Sequence, residues 1–96
     1  MVKHIVSFKL IERTPENIDF MKKLILSMKE NIDLIRDIHV EEDFLHTPDS
    51  FDLMLFADFD SKEDLEAYVK HPYHCEYVGG QSKAYVSEVH PFDYEY

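Results

Sequence analysis

The chain has 96 residues, with 20 acidic against 10 basic side chains, and its net charge of −10 repels both nucleic-acid phosphates and an anionic membrane surface. Hydrophobic residues make up 45% and aromatic residues 14%, a globular rather than a disordered composition, and no stretch nears the roughly 20 apolar residues of a membrane span. One domain over residues 1–96 is expected, burying roughly two thirds of its unfolded surface, so its core is thin and gains from a partner.

Val2 to Leu10 alternates, with Val2, His4, Val6, Phe8 and Leu10 on one face and Lys3, Ile5, Ser7 and Lys9 on the other. This reads as a strand, and Ile5 implies partial cover on its second face. It starts at once, with no signal-peptide architecture before it. Thr14-Pro15-Glu16 is a helix start: a capping hydroxyl, a proline at the first helical position and an acid at the positive end of the dipole. Ile18, Met21, Leu24, Ile25, Met28 and Ile32 then recur at spacings of three and four, which predicts a helix over 14–32.

Ile38, Val40 and Phe44 suggest a second strand, its far end made acidic by Glu41 to Asp43. Three adjacent carboxylates without ligand spacing read as a solvated strand end. His46 to Ser50 is a turn. Phe51 to Phe59 is the third strand, and its unbroken run Leu53 to Ala57 predicts a central position buried on both faces. Ser61 and Asp64 start a second helix with Leu65, Tyr68 and Val69 facing inward. Pro72 requires a bend at His71, followed by a short helix carrying His74, Tyr77 and Val78 that Gly79-Gly80 would end or loosen. Ala84 to Tyr96 reads as a fourth strand, kept to an edge by Pro91.

This strand, helix, strand, strand, helix, strand order predicts an α+β, ferredoxin-like (βαββαβ) protomer, its helices on one face of an antiparallel sheet. The simplest cover for the other face is a second copy, giving a homodimer with sheet against sheet. The single Cys75 leaves no internal disulfide and suits a reducing, cytoplasmic setting; as a nucleophile it is a weaker reading than as a small filler.

One stretch concentrates groups that hold or move protons: Tyr68-Val-Lys-His-Pro-Tyr-His-Cys75. Histidine titrates near neutrality, and tyrosine offers a donor to a developing oxyanion. The bend at His71 would swing His74 toward Tyr68, and His4 would meet them from the sheet. A pocket lined by Val6, Phe8, Met21, Ile25 and Leu55 would then suit proton abstraction beside the carbonyl of a small apolar ligand. The same residues also admit a plain helix corner, a core tyrosine and a hydrogen-bonded core histidine. His71 and His74 as metal ligands are a weaker reading, since proline interrupts their face and no carboxylate or cysteine stands at ligand spacing. No metal and no cofactor is expected.

Val2-Lys-His-Ile-Val-Ser-Phe-Lys9, Phe59-Asp-Ser61, Tyr68-x-x-His-Pro-x-His74 and Phe92-Asp-Tyr94 together resemble the Dabb family, the stress-responsive A/B barrel domain. The resemblance runs nearly the whole chain, departing at Asp33-Leu-Ile35, where the family usually carries a Pro-Gly-Val-like turn. It implies a dimeric alpha/beta barrel of two ferredoxin-like protomers. Most members have no established activity, although a plant member closes a linear polyketide by aldol condensation. By that analogy Tyr68 and His74 are catalytic, with His74 the base and Tyr68 holding the enolate oxygen. His4 and His71 join the pocket, and Asp93 falls in the Phe-Asp-Tyr end. Met21, Lys22 and Ile25 depart from the aromatic helix-one wall of that member and so from its substrate. Two other readings stay open: a non-catalytic stress-associated binding or scaffold dimer, and an enzyme like the monooxygenases that share the barrel.

Overall fold

Residues 1–96 are described by a computed structural model, and β1 (Val2–Leu10) runs through its centre. Val2, His4, Val6 and Leu10 are buried, and Ile5 on the opposite face is half-buried. Thr14 caps α1 (Pro15–Leu26), its side chain accepting from the Asn17 amide at 3.1 Å. The helix expected over 14–32 is divided at Ser27, with a short α2 (Met28–Asn31) beyond it. The cause is a side chain competing for backbone: the Ser27 hydroxyl donates to the Leu24 carbonyl at 2.6 Å and accepts from the Tyr73 hydroxyl at 2.8 Å. Both pieces keep the apolar stripe inward, and Ile18, Met21, Leu24, Ile25, Met28 and Ile32 are all buried.

β2 (Asp37–Glu42) stops short of Phe44, which is 88% exposed. Asp43 turns the chain there, its carboxylate accepting from the His46 amide at 2.7 Å while His46 takes a left-handed φ of 57°. β3 (Leu53–Phe59) begins two residues later than the pattern predicts. Ahead of it, Asp52 turns its carboxylate inward, where it accepts from the Leu10 amide at 2.7 Å and from Arg13 Nε. Asp52 is 2% exposed, so Asp52→Ala strips both donors of their partner and is expected to lower stability by about 3 kcal/mol in urea denaturation.

Ser61 caps α3 (Lys62–Lys70) by accepting from the Asp64 amide at 3.1 Å. Tyr68 is fully buried and Leu65 partly so, but Val69, expected to face inward, is 45% exposed because the inward stripe of this short helix runs through positions 65 and 68. The chain bends at the extended His71 and re-enters helix as a π-helical segment (Tyr73–Val78) that continues into α4 (Gly79–Ser82). Gly79-Gly80, expected to end or loosen the helix, does not end it: the π-helical winding stops at Val78 and the two glycines open α4. Glycine permits a left-handed stop without imposing one, and Gly79 has an ordinary helical φ of −58°. β4 (Val86–Glu95) starts two residues later than expected.

The sheet is antiparallel in the order β2-β3-β1-β4, the ferredoxin-like arrangement, with β3 and β1 inside. Pro91 sits opposite Val6 on edge strand β4, whose far side pairs with no strand, so its missing N–H costs no ladder bond there. The register sorts the sheet into rows. Toward the helices, Ala57, His4 and Asp93 form one row and Leu55, Val6 and Pro91 the next. On the opposite face, His39, Phe56, Ile5 and Phe92 form a row across all four strands. Lys3, Asp58 and Tyr96 join on that side: burial opposes ionisation of Asp58, but hydrogen bonds from Lys3 and Tyr96 outweigh it and hold the carboxyl below its usual range.

Candidate functional site

A cavity of about 420 Å³ lies between the helix-facing side of the sheet and the helices. Its inner wall is Val6, Met21, Ile25, Met28, Leu55 and Val78, all buried; Phe8 adds a half-buried side, and exposed Val69, Cys75, Val89 and Pro91 stand at its rim. Eleven of its sixteen lining residues are hydrophobic, so the polar groups that do face it are set in apolar surroundings.

Three of those groups meet. β1 supplies His4, α3 supplies Tyr68 and the π-helical segment supplies His74. The Tyr68 and His74 rings lie 4.5 Å apart between centroids, and the His4 and Tyr68 rings 5.6 Å apart, edge to face. Tyr68 is fully buried, also packs its ring on Phe59, and its hydroxyl has only the Met28 sulfur as partner, at 3.7 Å. A thioether is a weak acceptor, so the phenol proton is free for a better one. Burial, with the nearby Asp93 charge adding, pushes the Tyr68 hydroxyl well above its ordinary value of 10.0, so it is a neutral donor at neutral pH.

The sheet register orients His4. Asp93 stands directly opposite it on β4, and His4 Nδ1 donates to the Asp93 carboxylate. That bond leaves Nε2 on the far edge of a ring that is 6% exposed, with no protein partner. His74 is oriented by backbone: its Nδ1 donates to the Val69 carbonyl at 3.0 Å, so the proton sits on Nδ1 and Nε2 carries a lone pair. Burial lowers the His74 pKa from its ordinary 6.5, with His4 and His71 adding repulsion against the Val69 bond, and the imidazole is therefore neutral at neutral pH.

This shift has a stability consequence. Because the folded value is lower, the unfolded chain binds the proton first as pH falls, and stability drops as pH descends from 6.5 toward the lowered value. Urea denaturation across that window is expected to show a shallower decline for His74→Gln than for the native chain.

The residues named from sequence divide here. His4, Val6, Phe8, Met21, Ile25, Leu55, Tyr68 and His74 all line the cavity. His71 does not, correcting its expected place in the pocket. As the C-cap of α3, it has its Nδ1 accepting from the Tyr73 amide at 3.1 Å, and its carbonyl accepts from the amides of His74 and Cys75. The bend that brings His74 in is the one that keeps His71 out. No group of three His, Cys, Asp or Glu side chains converges as metal ligands would. Met28, Val69, Cys75, Val78, Val89 and Pro91 were not anticipated in the wall; the pairing of Phe8 with Val89 and Val6 with Pro91 in the β1–β4 register is the signal that places the last two.

Fold and site together define an α+β, ferredoxin-like domain with an apolar cavity floored by a phenol and two imidazoles. The chain belongs to the Dabb family: the model of the Stress Responsive A/B Barrel Domain matches residues 2–96. It is similar to a dimeric protein of unknown function and ferredoxin-like fold from Bacteroides fragilis, at 29% identity and TM-score 0.81, covering 99% of this chain and 95% of that one. A protein from Arabidopsis thaliana superposes at TM-score 0.85 with 22% identity, over 99% and 94% of the two chains. A hydroxynitrile lyase from Passiflora edulis shares the fold at TM-score 0.81 with 15% identity, over 97% and 90%. No curated protein matches significantly. No helix is long and apolar enough to cross a membrane.

Proposed function

We propose that this single-domain protein is a cytoplasmic homodimer whose protomers each bind a small apolar carbonyl compound and transfer a proton beside its carbonyl, in the manner of a lyase or cyclase. The observation that carries the reading is the Tyr68–His74 pair. A buried phenol lacking a strong acceptor lies against an imidazole with a free Nε2, at the floor of an apolar cavity. A carbonyl oxygen accepting from Tyr68 would place negative charge, as it develops, on a fixed donor, while His74 Nε2 takes the proton from the α-carbon. The immediate products are the enolate, held by the Tyr68 O–H, and a protonated His74; return of that proton to the oxygen gives the enol, and Asp93 holds His4 with its Nε2 lone pair free to take up a proton.

Dimerisation rests on the outer face of the sheet, where the row through Phe56, Ile5 and Phe92 has no cover in the protomer and Phe92 is 64% exposed. The similar Bacteroides fragilis protein is itself a dimer. The net charge of −10 speaks against nucleic acid as a partner.

A simple ketone tests the chemistry without knowledge of the natural substrate. In D2O, exchange of the α-hydrogens of 4-phenylbutan-2-one, followed by proton NMR, is expected to run faster with protein than in buffer. Exchange at the buffer rate with the cavity saturated rejects proton transfer here. A second reading, a non-catalytic binding or scaffold dimer, draws on the His74 bond to the Val69 carbonyl and the His71 cap, both of which brace the helix corner. It predicts binding without exchange.

A further inference from the structure

Building on the proposed site, we infer that the cavity selects neutral ligands and rejects carboxylates, so that its substrate class is uncharged aldehydes, ketones and their neutral acyl relatives. No lysine or arginine lines the cavity. The polar groups that do are Tyr68, His4, His74 and Ser82, none of which carries a fixed positive charge. A negative charge stands beside them: Asp93, paired with His4 on the same row of the sheet, acts on the Tyr68 hydroxyl. A carboxylate entering here leaves its hydration shell for an apolar wall, meets no cation and faces a like charge, each of which opposes binding. The protein's own net charge of −10 adds to this at long range.

A neutral carbonyl meets none of these penalties. Its oxygen accepts from Tyr68, and its chain lies along Met21, Ile25 and Met28, whose methionine side chains adapt to irregular shapes. About 420 Å³ falls within the range of small-molecule pockets, with room for a substituted single ring or a medium-length chain. A substrate activated as a free acid or carried on a phosphate-bearing group would have to leave that charge outside the rim.

Three compounds of one shape separate charge from everything else: 4-phenylbutan-2-one, 3-phenylpropanamide and 3-phenylpropanoate, which present a methyl, an amide nitrogen or a charged oxygen on the same acyl carbon. Each is titrated at neutral pH into protein with carbon-13-labelled histidine, reading the ring resonances of His4 and His74. The ketone and amide are expected to shift both, with the carboxylate weaker by about tenfold or more, and Asp93→Asn is expected to narrow that gap. Carboxylate binding as tight as the ketone's, with the same resonances shifted, overturns the neutral selection and leaves the site intact. Failure of all three to move either histidine instead overturns the site reading on which the selection rests.

Discussion

His74→Ala is expected to slow α-hydrogen exchange of a bound ketone by about 10² to 10⁴, the range lost when a positioned general base is removed. The fold should survive. His74 is half-buried, and the one hydrogen bond of its ring is to the Val69 carbonyl, which lies near the cavity rim. Loss of such a bond costs about 1 kcal/mol, or about 5 °C in Tm for a domain this size. Exchange assays and thermal unfolding on the same preparation separate the two roles: activity lost with Tm nearly kept supports catalysis, whereas a collapse of Tm in step with activity favours a helix-corner residue. Tyr68→Phe refines the result, because it keeps the ring packed against Phe59 and His4 and removes only the O–H, whose loss should cost about 10² or more in exchange.

Phe92→Glu is expected to abolish the proposed dimer and leave a monomer. Phe92 ends the row that crosses the outer face through Ile5, Phe56 and His39, and His39 already stacks on Phe56 with ring centroids 4.7 Å apart. Packed against a second sheet, a carboxylate at position 92 would be desolvated without a partner, a cost of several kcal/mol, and in a symmetric dimer it would be imposed by both copies. Light scattering at about 10 μM should read the dimer mass for the native chain and the monomer mass for the variant, at concentrations where an interface weakened by several kcal/mol dissociates. A native monomer at that concentration contradicts the barrel.

The elements were legible where local patterns agree with packing. The alternation of β1, the Thr14 and Ser61 caps, the inner position of β3 and the His71–Pro72 bend all appear in the structure; the expected burial of β3 on both faces does not, since Met54, Phe56 and Asp58 face the side without helices and are only half-buried in the protomer. What escaped depends on residues distant in the chain. The α1 helix breaks at Ser27 because of a hydroxyl network that reaches Tyr73, 46 positions away. Asp52 turns inward for Leu10 and Arg13, some forty positions before it, which no pattern within the strand announces.

The site follows the same division. Periodicity marks the inward residues on β1, α1 and β3, among them Val6, Met21, Ile25 and Leu55 of its wall. The rim formed by β4 needs the β1–β4 register, which also sets Asp93 against His4. His71 and His74 sit three apart, a spacing that says nothing about which of them a proline bend turns inward; the amide of Tyr73 captures His71 at the corner and leaves His74 for the cavity.

The central claim is that Tyr68 and His74 grip the two reacting parts of one ligand. A crystal structure with 4-phenylbutan-2-one bound tests it most directly. The carbonyl oxygen is expected within about 3 Å of the Tyr68 hydroxyl, with an α-carbon facing His74 Nε2 at about 3 to 3.5 Å. A ketone seated with its phenyl ring against Tyr68 and its carbonyl at the rim, or bound elsewhere on the protein, contradicts the claim.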